Sequence, residues 1–87
     1  MPEYLVTSNL VVAREKTAPH RAAHLDYLTR LKEEGKLRLA GRFSDGKGGM
    51  YILVADSYEE AEELAKADPY HANGLRQFTI IGWERRL

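Results

Sequence analysis

The stretch SYEEAEELAKADPY, residues 57–70, decides the second half of the fold. Ser57 and Glu60 match the S-x-x-E capping box that begins many helices. Apolar residues then recur at helical spacing, at Ala61, Leu64 and Ala65. Pro69 disfavours helical geometry for the residue before it, so the helix is expected to end at Asp68.

Asp68 continues the apolar stripe of this predicted helix, so its carboxylate should face the core. Exposed carbonyl groups make the last turn of a helix partly negative, which is unfavourable for a carboxylate. Two explanations are open. Asp68 either caps a short turn that has Pro69 in its first position, or pairs with a functional partner elsewhere in the chain.

The composition is that of a small globular protein, expected to form a single domain over residues 1–87. Lys+Arg and Asp+Glu balance at 13 each, which argues against nucleic acid or an anionic membrane as the main partner. The absence of cysteine excludes disulfides and thiolate chemistry. With no membrane-spanning run and no signal peptide at the start, we expect a cytoplasmic location.

Working outward, the pattern predicts strands at residues 4–13, 36–43, 50–55 and 75–84. A first helix is expected from a cap at Thr17 to Glu34, with Pro19 in its first turn and Gly35 as its stop. The stretch at 44–49 has the composition of a hairpin turn.

The order strand, helix, strand, strand, helix, strand predicts a ferredoxin-like α+β fold with an antiparallel sheet. In that topology the start of the first helix, the end of the second and the hairpin meet at one end of the domain. The apolar stripe of the first helix is predicted to comprise His24, Leu25, Leu28 and Leu31. His24 and Asp68 should therefore lie at one edge of one cavity.

A lone histidine on an apolar helical face is usually a core residue with its hydrogen bonds satisfied. A carboxylate at the same end supports a second interpretation, because it fixes the tautomer of the imidazole and raises its basicity. Such a histidine suits general-base chemistry where no serine or cysteine nucleophile is evident.

Three further features of the sequence are weaker signals. His20 and His24 have metal-ligand spacing on a helix and His71 could join them, but no clear acidic ligand shares that face, so we expect no metal. The glycines around Lys47 favour a hairpin over a phosphate cradle, because no helix follows them. Arg42, at the end of the second strand, either clamps an anionic substrate or is solvated.

Several motifs in order resemble the YciI-like (YCII-related) family: residues 21–25 (RAAHL), 35–37 (GKL), 40–41 (AG), 57–61 (SYEEA) and 68–70 (DPY). The resemblance implies a dimeric α+β barrel and an active-site pair that maps onto His24 and Asp68. One member acts as a dehydrochlorinase on a chlorinated hydroxyquinol, and the fold is similar to that of muconolactone isomerase, so lyase- or isomerase-type chemistry is implied. Arg21 and Tyr70, within these motifs, join Arg42 as predicted substrate-binding residues.

The chain departs from the family pattern beside the predicted cavity. Many members carry Gly-Pro where this chain has Gly41-Arg42, and many have a longer hairpin. The resemblance therefore implies no particular substrate, and no cofactor is expected.

The sequence is compatible with two functions. The protein is either an enzyme doing acid–base chemistry on a small oxygenated metabolite, or a non-catalytic ligand-binding or regulatory module. A homodimer or higher homo-oligomer is expected for either. The last strand has Phe78 and Ile80 on one face and Ile81 and Trp83 on the other, so the face without helices should be buried by another subunit.

Overall fold

Four antiparallel strands form the sheet of this computed structural model, which describes residues 2–87. The strands are β1 (Glu3–Leu10), β2 (Leu37–Arg42), β3 (Gly48–Val54) and β4 (Arg76–Trp83). The helices are α1 (Arg21–Glu33), α2 (Tyr58–Lys66) and the short α3 (Pro69–Ala72). The spatial order β2-β3-β1-β4 confirms the predicted ferredoxin-like α+β fold.

The segment before α1 differs from the prediction. Residues Arg14–His20 form a 3₁₀ helix that contains Pro19, and α1 begins only at Arg21. The Thr17 hydroxyl donates to the carbonyl of Arg14 at 2.7 Å, so it closes the 3₁₀ turn instead of capping α1. The first strand is also shorter than predicted, because it ends at Leu10.

The helix ends follow the local signals in the sequence. Gly35 adopts φ 76° after α1, and the N–H of Lys36 reaches the Leu31 carbonyl at 2.8 Å, which is a Schellman motif. At the start of α2, Ser57 Oγ accepts the N–H of Glu60 at 3.1 Å, as the capping box predicts. The Glu60 carboxylate, however, accepts the N–H of Asp56 rather than that of Ser57.

The buried face of α1 is rotated relative to the predicted stripe. Leu28 and Leu31 are buried as expected, but Leu25 is 48% exposed and Tyr27 takes its place in the core. The Tyr27 hydroxyl donates to the Leu64 carbonyl at 2.6 Å, so the phenol's one polar group is satisfied inside the α1–α2 contact. A pattern restricted to aliphatic residues assigns the wrong residue to this position.

Helices α1 and α2 cover the same face of the sheet, where Val6, Tyr51 and Leu53 form the core with the buried faces of the two helices. The opposite face carries an apolar row across all four strands, which runs Leu39, Ile52, Leu5 and Ile81. Leu39 and Ile81 are 48% and 64% exposed. Within residues 2–87, no helix is long and apolar enough to cross a membrane.

Candidate active site

His24 and Asp68 meet at the end of the sheet where β1 and β2 finish. The first turn of α1 supplies His24, and Asp68 lies between α2 and α3. His24 Nδ1 is 2.8 Å from Asp68 Oδ1. The Asp68 side chain is 1% exposed and the His24 side chain 12% exposed. The pair is therefore largely removed from water, but part of the His24 side chain still contacts solvent.

Asp68 caps a short helix in addition to contacting His24. It is the N-cap of α3, and its Oδ1 accepts the backbone N–H of Tyr70 at 2.9 Å. Its other oxygen, Oδ2, lies 3.3 Å from the Tyr51 hydroxyl, which donates to it. A carboxylate this buried is tolerated because each oxygen has a donor.

The Asp68 contact fixes which nitrogen of His24 is available. A carboxylate only accepts hydrogen bonds, so Nδ1 carries the hydrogen and the neutral ring keeps its lone pair on Nε2. The ring stacks on Tyr70, with centroids 4.0 Å apart and planes at 16°. Asp68 and Tyr70 together hold the imidazole in one orientation.

A pocket of about 160 Å³ opens beside this pair. That is close to the ~150 Å³ of an apolar cavity known to hold benzene, so one six-membered ring fits. The predicted substrate-binding residues Arg21, Arg42 and Tyr70 all line it. The complete lining is Ser8, Arg21, His24, Leu25, Leu28, Ala40, Gly41, Arg42, Gly49, Met50, Tyr51, Tyr70 and Arg76.

A second imidazole lies behind the pocket wall. His71 Nδ1 is 2.7 Å from the carbonyl oxygen of Ala65, and its Nε2 is 2.6 Å from Ser8 Oγ. Burial lowers the pKa of His71, which favours the neutral ring, although the hydrogen bond to Ala65 opposes the shift. Ser8 itself is only 2% exposed.

Arg76 forms another part of the wall. Its guanidinium lies over the Tyr70 ring, 4.5 Å from the centroid. Its Nε is buried and has no hydrogen-bond partner within residues 2–87. Burial lowers the pKa of this guanidinium, although the nearby Asp68 carboxylate opposes that shift.

The Tyr51 phenol contributes a neutral donor to the site. Burial raises its pKa, and the negative charge of Asp68 raises it further. Tyr51 therefore remains protonated at neutral pH and donates to the carboxylate.

The histidines and the glycine-rich segment make ordinary local contacts in the structure. No group of three or more potential metal ligands occurs in the part of the chain that the structure describes. The two ring nitrogens of His71 are already engaged by Ala65 and Ser8, so His71 does not join His20 and His24. The glycine-rich segment is a turn, in which the Gly46 N–H donates to the Phe43 carbonyl at 2.9 Å.

Sequence reasoning missed Ser8 and Arg76 as residues of this region, and it considered His71 there only as a metal ligand. Ser8 and Arg76 each had a detectable signal. Ser8 alternates with Val6 and Leu10 on the inward face of β1, and Arg76 alternates with Phe78 and Ile80 on β4. A polar side chain on an inward-facing strand position indicates a polar environment inside the fold.

The chain matches the family model of the YCII-related domain over residues 3–84. It is also 46% identical, over 65 residues, to the uncharacterized protein YjpA of Bacillus subtilis strain 168. That match covers 75% of this chain and 76% of the Bacillus protein.

Two solved structures share the fold at low sequence identity. One is the 5-chloro-2-hydroxyhydroquinone dehydrochlorinase of Burkholderia phenoliruptrix in complex with 2,5-dihydroxybenzoquinone, with a TM-score of 0.84 and 23% identity over 97% of this chain and 95% of that one. The other is muconolactone isomerase, with a TM-score of 0.77 and 18% identity over 97% of this chain and 90% of that one. The fold is thus that of the dimeric α+β barrels, and by its sequence this chain belongs to the family of YCII-related domains.

Proposed function

We propose that this protein is an enzyme that performs acid–base chemistry, an elimination or an isomerisation, on a small oxygenated ring compound. The observation that carries the proposal is the 2.8 Å contact between His24 and the buried Asp68 at the wall of a ring-sized pocket. The catalytic roles of two similarly folded proteins, a dehydrochlorinase and an isomerase, support it.

His24 acts as the general base in this proposal. Its Nε2 removes a proton from a carbon next to an oxygenated group, and Asp68 stabilises the imidazolium that forms. In an isomerisation the C–H electron pair becomes part of a shifted double bond, and the proton returns to another carbon. In an elimination the same pair forms the new double bond, while the leaving group departs with its own bonding electrons.

Side chains at the pocket wall position the substrate for this chemistry. Arg21 and Arg42 at its wall provide positive charge for an oxygen that becomes negative as the proton leaves. Tyr70 holds the imidazole ring from one side, which leaves its edge to meet the substrate. We therefore assign binding roles to Arg21, Arg42 and Tyr70.

We also propose that the protein works as a homodimer. The apolar row from Leu39 to Ile81 lies on the sheet face that carries no helix, and Trp83 on β4 is 37% exposed. Exposed apolar rows of this kind are normally covered, most economically by a second copy across a two-fold axis.

A non-catalytic ligand-binding module is the second candidate. The observation in its favour is that Asp68 is already used structurally, as the cap of α3 and as the acceptor for Tyr51. In that case His24 would serve the fold and respond to ligand without proton transfer.

Turnover separates the two candidates. We would incubate the protein with a panel of hydroxylated quinones, halogenated hydroquinones and unsaturated lactones and follow each by NMR and absorbance. His24→Ala and Asp68→Asn should lower the rate on any substrate by about 10²–10⁴-fold while the fold is kept. His20→Ala is the matched control, because His20 is the N-cap residue of the same helix but does not line the pocket. Binding without turnover by the wild type would favour the second candidate.

A further inference from the structure

We propose that the ligand of this pocket is a small organic anion bearing a hydroxyl group, with Arg76 binding the anionic oxygen and Ser8 accepting the hydrogen bond of the hydroxyl. This inference rests on the proposed function, whose substrate class it names. It assigns binding roles to two side chains that the His24–Asp68 chemistry does not use.

The His71 contacts determine the orientation of the Ser8 hydroxyl. The Ala65 carbonyl oxygen only accepts, so the 2.7 Å contact places the ring hydrogen on Nδ1. The neutral ring then keeps its lone pair on Nε2, 2.6 Å from Ser8 Oγ. Ser8 must therefore donate its hydrogen to His71.

With its hydrogen committed, Ser8 offers the pocket only oxygen lone pairs. A ligand group that donates a hydrogen bond, such as a hydroxyl, interacts favourably with these lone pairs. A carbonyl or ether oxygen only accepts hydrogen bonds and is repelled by them. The His71–Ala65 contact thus makes Ser8 a selective acceptor. His71 is a positioning residue that acts on the ligand only through Ser8.

The charges around the pocket favour an anion. Three arginines line it, Arg21, Arg42 and Arg76, whereas no aspartate or glutamate among residues 2–87 is part of the lining. Arg76 differs from the other two because its Nε is buried and has no hydrogen-bond partner among the described residues 2–87. The nearby carboxylate, Asp68, already accepts from His24, Tyr70 and Tyr51.

A guanidinium whose Nε is buried without an acceptor in residues 2–87 is costly, and an anionic oxygen of a ligand in the pocket would stabilise its charge. Ser8 and Arg76 project from the same face of neighbouring strands, since Phe78 is the register partner of Ser8 and Leu10 that of Arg76. Diagonal positions of this kind lie roughly 7–8 Å apart, so one ring with two oxygen substituents can reach both side chains.

The test uses hydroxybenzoates as probes and measures binding to the intact protein by NMR titration. We would compare 3- and 4-hydroxybenzoate with benzoate, which lacks the hydroxyl, and with the matching hydroxybenzamides, which lack the charge. In the wild type we expect the better hydroxybenzoate to bind about tenfold more tightly than benzoate. We expect it to bind on the order of 10–100-fold more tightly than its amide.

Each of the two binding preferences should be lost when one side chain is replaced. Ser8→Ala should abolish the preference for the hydroxyl and keep that for the carboxylate, whereas Arg76→Gln should do the reverse. Arg86→Gln is the control, because Arg86 is an exposed arginine outside the pocket. If either variant fails to fold, nuclear Overhauser contacts from the bound ring to Ser8 and Arg76 in the wild type provide the same test.

A hydroxyl preference that survives in Ser8→Ala, a charge preference that survives in Arg76→Gln, or no binding of any hydroxybenzoate at millimolar concentration would overturn the inference. These outcomes are independent of catalysis. His24→Ala should retain both binding preferences, and its loss of turnover tests the proposed function alone.

Discussion

Nδ1 of His24 lies 2.8 Å from Oδ1 of Asp68, although 44 positions separate the two residues in the sequence. The same carboxylate oxygen accepts the backbone N–H of Tyr70 at 2.9 Å, so it also begins α3. One buried oxygen therefore fixes both the orientation of the imidazole and the local fold. Changes at Asp68 should affect stability and site geometry together.

Asp68→Ala should lower the free energy of unfolding by about 2–4 kcal/mol, because it removes a helix cap and leaves buried donors without an acceptor. Asp68→Asn should cost clearly less, since its amide oxygen can still accept from His24 and Tyr70. Urea unfolding measures both. Ser57→Ala, which removes only the cap of α2, should cost about 1 kcal/mol. Equal losses for Asp68→Ala and Asp68→Asn would contradict this account.

Much of the fold is predictable because its signals are local. Three features depend only on residues close in the sequence, and each appears as expected. They are the turn at 44–49, the end of α1 at Gly35 and the cap of α2 at Ser57. The position of His24 near Asp68 follows from two helix faces combined with one topology. The interactions that were missed depend on distant contacts: His71 reaches back 63 positions to Ser8.

The start of α1 shows a different limit. Thr17 and Pro19 are good residues for a helix start, and they also suit the 3₁₀ turn that forms there. The choice is settled by the Thr17 contact with Arg14, which competes with capping. The prediction that Leu25 faces the core was wrong. The Tyr27 hydroxyl donates to the Leu64 carbonyl, so Tyr27 can occupy that position in the core.

Tyr51 should make the protein sensitive to alkaline pH. Its pKa is raised above 10.0, chiefly by burial and then by Asp68, so above about pH 10 the unfolded chain loses a proton that the folded chain keeps. This contribution to stability is complete below pH 10 and declines as the pH rises further. Urea unfolding between pH 8 and 11 should show a steeper decline for the wild type than for Tyr51→Phe. Tyr58→Phe, at an exposed position, is the control and should follow the wild type.

His71 should act at the other end of the pH range. Burial lowers its pKa below 6.5, so the unfolded chain gains a proton near pH 6.5 that the folded chain resists. The contribution of the neutral ring is complete above that pH and is lost as the pH falls through the lower folded pKa. The stability advantage of the wild type over His71→Gln should therefore shrink between pH 8 and pH 5. An NMR titration giving His71 a pKa above 6.5 would contradict the prediction.

Gly48 should tolerate no side chain. A Cβ at this position would lie 2.1 Å from the carbonyl oxygen of Ser8, and its φ of 153° is one that other residues rarely adopt. We expect Gly48→Ala to cost about 1–3 kcal/mol or more and to displace the backbone of Ser8, which lines the pocket. Gly41→Ala, where a Cβ meets nothing within 4 Å, should stay within about 0.5 kcal/mol of the wild type. Thermal unfolding of the two variants provides the comparison.

The proposed dimer interface lies on the sheet face without helices. Ile81 is 64% exposed and ends the apolar row that begins at Leu39, so Ile81→Arg would put an unpaired charge into the interface. We expect the wild type to sediment at twice its 9.9 kDa chain mass at micromolar concentration and Ile81→Arg to sediment as a folded monomer. Val11→Arg is the control, because Val11 is 49% exposed but follows the end of β1. A wild type that sediments as a monomer would rule out the dimer, and an Ile81→Arg variant that stays dimeric would rule out this face as its interface.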